Sequence, residues 1–216
     1  RLHDKRASGT LIPNLETAKK ILGNLQHRKW AEECSDKSVT LVKEEPGVLP
    51  LNPGTHRRIL FHTITNGEGF IYTIDTSVPE TFKALLEKEG FELTEVKPNP
   101  GLEGLMAPFS DTIGKYDLIV YLANLATKSN QTSVRIEWAQ PMGANVPMYV
   151  ESIPTIFISV ENPYHLLDAP QVKTFVNAYA SSESNLKSVV DKLMGRTKFN
   201  GVNPVDPFCG KWWTKL

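Results

Sequence analysis

The run Asp117-Leu118-Ile119-Val120-Tyr121-Leu122 does more than any other stretch to limit what this chain can fold into. Its apolar positions are continuous rather than alternating, so a strand made from it must be covered on both faces. Pro154–Val160, with Ile156, Phe157 and Ile158, reads the same way, and so does Arg58–Thr65, which ends at Asn66-Gly67. Between and after them come helical periods. Pro79–Gly90 repeats Phe82, Leu85, Leu86 and Glu89, has Thr76 or Ser77 available as a cap, and stops at Gly90. Glu183–Gly195 presents Leu186, Val189, Val190 and Leu193 on one face. Phe91–Lys97 and Thr174–Tyr179 read as further strands, Ser133–Gln140 as a helix, and Tyr164–Leu167 as a short helical turn. Strands separated by helices pair in parallel through right-handed crossovers. The expected fold class is therefore α/β, a three-layer α/β/α sandwich around a mostly parallel sheet of five or six strands.

The amino-terminal part has a different grammar. Asn14 is placed to cap a short amphipathic helix through Leu22, with Gly23 as its stop. A second helix is expected from about Gln26 to Lys37, with Trp30, Ala31, Cys34 and Ser38 along one face. Val39–Lys43 then alternates as a strand, and Pro46, Gly47 and Pro50 break the chain after it. At the other end, Asn200–Leu216 has neither period but carries Trp212 and Trp213.

Charge and cysteine content remove several functional classes. Lys+Arg and Asp+Glu both number 24, and no basic stripe offers a path for a phosphate backbone, so nucleic acid is not an expected partner. No apolar run reaches the roughly 20 residues that span a bilayer. Cys34 and Cys209 are far apart and form no CxxC pair, which reads as two lone thiols and leaves the compartment open. His3, His27, His56, His62 and His165 have no metal-ligand spacing, Gly67-Glu68-Gly69 lacks the full dinucleotide fingerprint, and no G-x-S-x-G elbow occurs. No metal or cofactor is expected. The chain begins Arg1-Leu2-His3 without Met, and is expected to be a fragment of something larger.

Several islands, in order, resemble the carboxy-terminal domain of glycoside hydrolase family 3. Trp30–Lys43 followed by Val48-Leu49-Pro50-Leu51 looks like the family's entry helix, strand and turn. Tyr116–Leu122 is similar to its central strand, Ile153–Tyr179 to the strand, Asn-Pro turn and second apolar run, and Val189–Gly195 to the closing helix. Ser129-Asn130-Gln131-Thr132 and Trp138–Met142 look most like the bacterial β-N-acetylglucosaminidase branch.

The resemblance implies a domain over residues 26–216, with 1–25 as the lead-in from an amino-terminal catalytic barrel of the same polypeptide. It implies a retaining glycosidase acting on amino-sugar oligosaccharides, from peptidoglycan fragments or chitin. In the family the Asp nucleophile sits on the barrel, and in this branch so does the His/Asp acid/base. This chain is then a non-catalytic companion. In the β-glucosidase branch an acid/base Glu comes from this domain, but no motif here assigns that role to Glu103, Glu137, Glu151 or Glu161. A stand-alone carbohydrate-binding or protein-interaction module is the alternative from another class. The resemblance leaves the compartment undecided between cytoplasmic and secreted or cell-wall-associated.

Ligands of open α/β sheets sit beyond the carboxyl ends of the strands. That makes Asn124, Glu161 and Asn162 candidates for a substrate rim, with Glu103 in the long Pro98–Asp111 loop as a fourth. The competing reading of Asn162 is that it shapes the turn before Pro163. Glu103 has a competing reading as part of a solvated connection, and Trp212 and Trp213 as an aromatic plug rather than a sugar platform.

Overall fold

The computed structural model of the chain describes residues 14–65, 77–96, 111–126, 135–139 and 143–211. The elements in chain order are α1 (Leu15–Ile21), α2 (Leu25–Ser38), β1 (Thr40–Lys43), β2 (Arg58–Thr65), α3 (Ser77–Lys88), β3 (Glu92–Val96), β4 (Leu118–Asn124), β5 (Thr155–Ser159), a 3-10 turn (His165–Leu167), β6 (Thr174–Asn177) and α4 (Glu183–Leu193). Small polar residues open three of the helices. Asn14 Oδ1 accepts from the Glu16 amide, Asn24 Oδ1 from the His27 amide and Ser182 Oγ from the Asn185 amide, each satisfying a donor that the helix itself leaves unpaired.

The six strands form one sheet in the order β1-β6-β5-β4-β2-β3. β2 to β6 are mutually parallel, and β1 alone runs antiparallel, against β6. The chain moves from β2 outward to β3, then returns to the other side of β2 to lay down β4, β5 and β6. The order of laying down therefore reverses between β2 and β4, whose carboxyl ends are Thr65 and Asn124, a registered pair.

Each face of the sheet has its own core. On one, α3 and α4 pack Val78, Phe82, Leu86, Leu186, Val189, Val190 and Leu193 against Ile59, Phe61, Leu118, Val120, Leu122, Ile156, Ile158 and Val176. The residues expected on the core face of α4 are all buried. Asn185 ties the start of α4 to the end of β6, donating through Nδ2 to the carbonyls of Ala178 and, at 2.8 Å, Ala180. Lys192, on the same helix, is fully buried at its side chain and paired with Asp36 of α2 at 2.9 Å. Its ammonium also donates to the Lys198 carbonyl at 2.7 Å, so one cation joins two helices and the chain beyond them.

The opposite core contains Leu60, Ile64, Ile119, Tyr121, Phe157 and Phe175, covered by Ile136, Ile153, Leu166, Ala169, Val172 and Phe208. Across it runs a row of stacked rings. His62, Tyr121, Phe157 and Phe175 are register partners on β2, β4, β5 and β6, with successive centroids 4.3, 5.8 and 5.0 Å apart. Period-two side-chain placement puts one ring per strand at the same level.

The expected class, an α/β sandwich around a mostly parallel sheet of five or six strands, is the one observed. Two expectations about single segments change. Among the described residues the second face is covered by irregular chain and the 3-10 turn. Arg135–Ala139, expected within a helix, is not helical. A carboxylate and an amide hold it instead: Asp168 accepts from the Ile136 amide at 3.3 Å and Asn145 Oδ1 from the Ala139 amide at 2.7 Å. The α2 face built on Trp30, Ala31 and Cys34 is exposed, and the buried residue of that helix is Ser35, whose hydroxyl lies 3.2 Å from that of Ser184 on α4. Both cysteines are free and exposed, as lone thiols.

Candidate functional site

At the carboxyl ends of β4 and β5 the chain opens into a cavity of about 630 Å³ lined by Ala126, Arg135, Glu161, Asn162, Pro163, Tyr164 and Leu167. It sits one strand along from the reversal point of the sheet, on the side where α/β folds hold ligands. Its volume is in the roughly 300–1,000 Å³ range of small-molecule sites.

A dense set of hydrogen bonds fixes the turn that carries Asn162 and Tyr164. The hydroxyl of Ser159, the last residue of β5, is bonded both to the Asn162 carbonyl and, at 2.9 Å, to His165 Nδ1. A carbonyl only accepts, so the single Ser159 proton goes to Asn162. It follows that Nδ1 of His165 carries its hydrogen and donates to Ser159 Oγ. Asn162 Oδ1 accepts from the Tyr164 amide at 2.9 Å, closing the turn before the 3-10 segment. The turn-shaping reading of Asn162 is therefore realised, and the same residue lines the cavity.

Arg135, in the lining, is paired with Asp168, whose side chain is 6% exposed. Asp168 accepts from Nε of Arg135 and from the Ile136 amide. The guanidinium is thereby tethered through Nε to a buried carboxylate, a charge-assisted contact. Tyr164 completes the site as a large ring that is 48% exposed.

Of the residues singled out in the sequence, Glu161 and Asn162 come together here. Asn124 ends β4 beside Thr65 of β2 and is not part of this lining. Glu103 lies outside the described residues, as do Gly67-Glu68-Gly69, Trp212 and Trp213. Arg135 and Tyr164 were missed. Tyr164 had a readable signal, since an aromatic directly after an Asn-Pro turn at a strand end projects from the rim. Arg135 had none, because a helical reading of its segment gave no reason to place it there.

Two other concavities differ in chemistry. One of about 580 Å³ lies between α2 and α4 and mixes Arg28, Glu32, Asp36, Glu183, Lys187 and Asp191. It lies on the helical side of the sheet, away from the strand ends. The other, about 200 Å³, lies over the ring row and includes His62, Asp111, Lys115, Tyr121 and Tyr149. Burial holds His62 down at a pKa of about 4 and pushes the Tyr121 hydroxyl up, so both are neutral in their ring stack at ordinary pH. Tyr121 donates to the Val146 carbonyl at 3.3 Å. Among the described residues no cluster of three His, Cys, Asp or Glu side chains is arranged to hold a metal ion, and no helix is long and apolar enough to cross a membrane.

No protein-family model matches the chain. A β-N-acetylglucosaminidase/β-glucosidase from Cellulomonas fimi is 46% identical over 209 residues, 96% of this chain. The chain is a carboxy-terminal α/β domain of glycoside hydrolase family 3. It spans 37% of the length of the Cellulomonas protein, so it corresponds to one part of a longer polypeptide there. The solved structure of a β-glucoside phosphorylase, BglX, matches 94% of the chain at 40% identity with a TM-score of 0.80, again over only 35% of that protein. A family 3 β-N-acetylglucosaminidase from Paenibacillus sp. matches 86% of the chain and 34% of its own length, with a TM-score of 0.56 at 16% identity, a likeness of fold.

Proposed function

We propose that this chain is the non-catalytic companion domain of a retaining β-N-acetylglucosaminidase that releases terminal N-acetylglucosamine from peptidoglycan fragments or chitin oligosaccharides. The observation that carries this reading is the 46% identity to the Cellulomonas β-N-acetylglucosaminidase/β-glucosidase across nearly the whole chain. The nucleophile and the acid/base then belong to an upstream catalytic barrel, and this domain buttresses it. Exposed apolar side chains support a docked partner domain. Leu15, Ile21, Leu22, Leu25 and Trp30 are all more than half exposed along α1 and the start of α2, and α1 buries no residue of its own. Apolar surface of that kind marks contact sites in folded proteins.

The 40% identity to a β-glucoside phosphorylase supports a second reading within the same chemistry. In a retaining mechanism the sugar is first carried as an ester on the nucleophile. Water attacking its anomeric carbon gives the free sugar, whereas phosphate attacking the same carbon gives the sugar 1-phosphate, and in both the carboxylate leaves.

The test is turnover of chromogenic β-N-acetylglucosaminide and β-glucoside by the chain alone and by the full-length polypeptide that carries it, with and without inorganic phosphate. Turnover by the full-length protein only, with preference for the amino sugar and free sugar as product, is the expected result. Sugar 1-phosphate as the main product moves the protein to the phosphorolytic reading. Turnover by the isolated chain overturns the companion role.

A further inference from the structure

We propose that the cavity at the ends of β4 and β5 is a carbohydrate subsite that holds one neutral pyranose ring against Tyr164, between the guanidinium of Arg135 and the carboxylate of Glu161. The inference rests on the glycosidase reading above and adds what this domain itself contacts.

The argument starts from what a sugar needs. A pyranose presents hydroxyls that both donate and accept, together with a face of C–H groups that prefers an aromatic surface to water. The cavity supplies each of these. Tyr164 offers a ring 48% exposed at the cavity wall, and its backbone is fixed by the hydrogen bond from its amide to Asn162. A tyrosine side chain has only two torsions to lose on binding, so it offers a large apolar face at low entropic cost. A guanidinium such as that of Arg135 only donates and a carboxylate such as that of Glu161 accepts, so a hydroxyl facing either finds its complement.

The opposite charges also select against an ionic ligand. Arg135 is already partnered by Asp168, and Glu161 on the same lining repels a carboxylate or phosphate. What remains favoured is an uncharged polyol with one apolar face. Pre-organisation points the same way, because the donor is aimed by a carboxylate that is itself buried, as in sites where supporting residues orient the contacting ones. The groove between α2 and α4 lacks these features, having charged side chains of both signs and no aromatic side chain in its lining.

The experiment is a titration of the chain, isotope-labelled for NMR, with N,N′-diacetylchitobiose and, in parallel, cellobiose. The amide signals of Arg135, Glu161, Asn162 and Tyr164 should shift saturably. Tyr164→Ala should weaken binding about tenfold, and Arg135→Gln should weaken it without altering the dispersion of the remaining spectrum. Preference for chitobiose identifies the ring as an amino sugar, while equal response assigns it to pyranoses in general. Saturable shifts confined to other residues, or unchanged affinity in Tyr164→Ala with the spectrum intact, overturn the proposal. Failure here is distinct from failure of the glycosidase reading. A full-length protein that cleaves the aryl glycoside while this chain binds neither disaccharide loses only the subsite. Binding by the chain without any turnover by the full-length protein loses only the glycosidase.

Discussion

Replacing His62 with Phe should make the domain markedly more resistant to acid. His62 sits within the sheet on β2, only 8% exposed and stacked on Tyr121 at 4.3 Å. Burial lowers its pKa from 6.5 to about 4. The sign follows from proton binding. Between those two values the unfolded chain takes up a proton at this residue and the folded domain does not, so acidification favours unfolding. Stability is therefore fully present above pH 6.5 and falls as pH drops toward 4. With 1.36 kcal/mol per pKa unit the loss attributable to His62 is about 2 kcal/mol at pH 5 and ~3 kcal/mol at pH 4. His62→Phe keeps a ring for the stack and removes the titration. Urea unfolding of both proteins at pH 7, 6, 5 and 4.5 gives the comparison. Asp36 and Asp117, held below the usual carboxylate range by hydrogen bonds to Lys192 and Arg58, add their own acid sensitivity at lower pH. They are common to both proteins and cancel in the difference. Stability differences that stay constant from pH 7 to 4.5 would refute the reasoning, because they would mean that His62 gains its proton as easily when folded.

Two further changes test the scaffold. At Gly201 an added Cβ would lie 2.3 Å from Thr40 Oγ1 and 2.6 Å from the Ser38 carbonyl oxygen, so Gly201→Ala must push the tail off β1. A cost of about 1–3 kcal/mol is expected, read as a lower thermal midpoint. Lys192→Ala removes a buried ammonium and strands the Lys198 carbonyl. Since its partner Asp36 is partly exposed, the loss should fall near the lower end for broken buried pairs, about 3 kcal/mol in chemical denaturation.

Much of the architecture was legible because the strongest signals were also the most buried. Leu118–Asn124 and Thr155–Ser159 are central strands with almost every side chain inside, and uninterrupted apolar runs announce that directly. The core faces of α3 and α4 followed from spacing alone. The layer over the second face was harder to read. Its segments gain their shape from single long-range contacts, such as Asp168 with the Ile136 amide, that leave no period in the sequence. Within the helix expected at Ser133–Gln140, the described residues Arg135–Ala139 are irregular for that reason. The α2 face misled in another way: its pattern was real, but its apolar side chains point to solvent in this chain. Glu161 and Asn162 were placed at a strand end from their position after it and do share one cavity lining, whereas Arg135 joins that lining only once the fold brings its segment to Asp168. Asn124 and Glu103 remain candidates for a rim whose test is the full-length protein.

The antiparallel pairing of β1 with β6 sets an order of events during synthesis. Among the described residues, the first strand made has as its only neighbour in the sheet the last strand made. Thr40–Lys43 must therefore wait, unpaired, until nearly the whole domain has left the ribosome. The parallel middle, β2 through β5, can assemble without it. The segment leading in from upstream and the tail at Gly201 then close the same edge together. Long-range closure of this kind slows folding. It also means that a chain cut short before β6 lacks both the strand and the partner that would have held its own beginning in place.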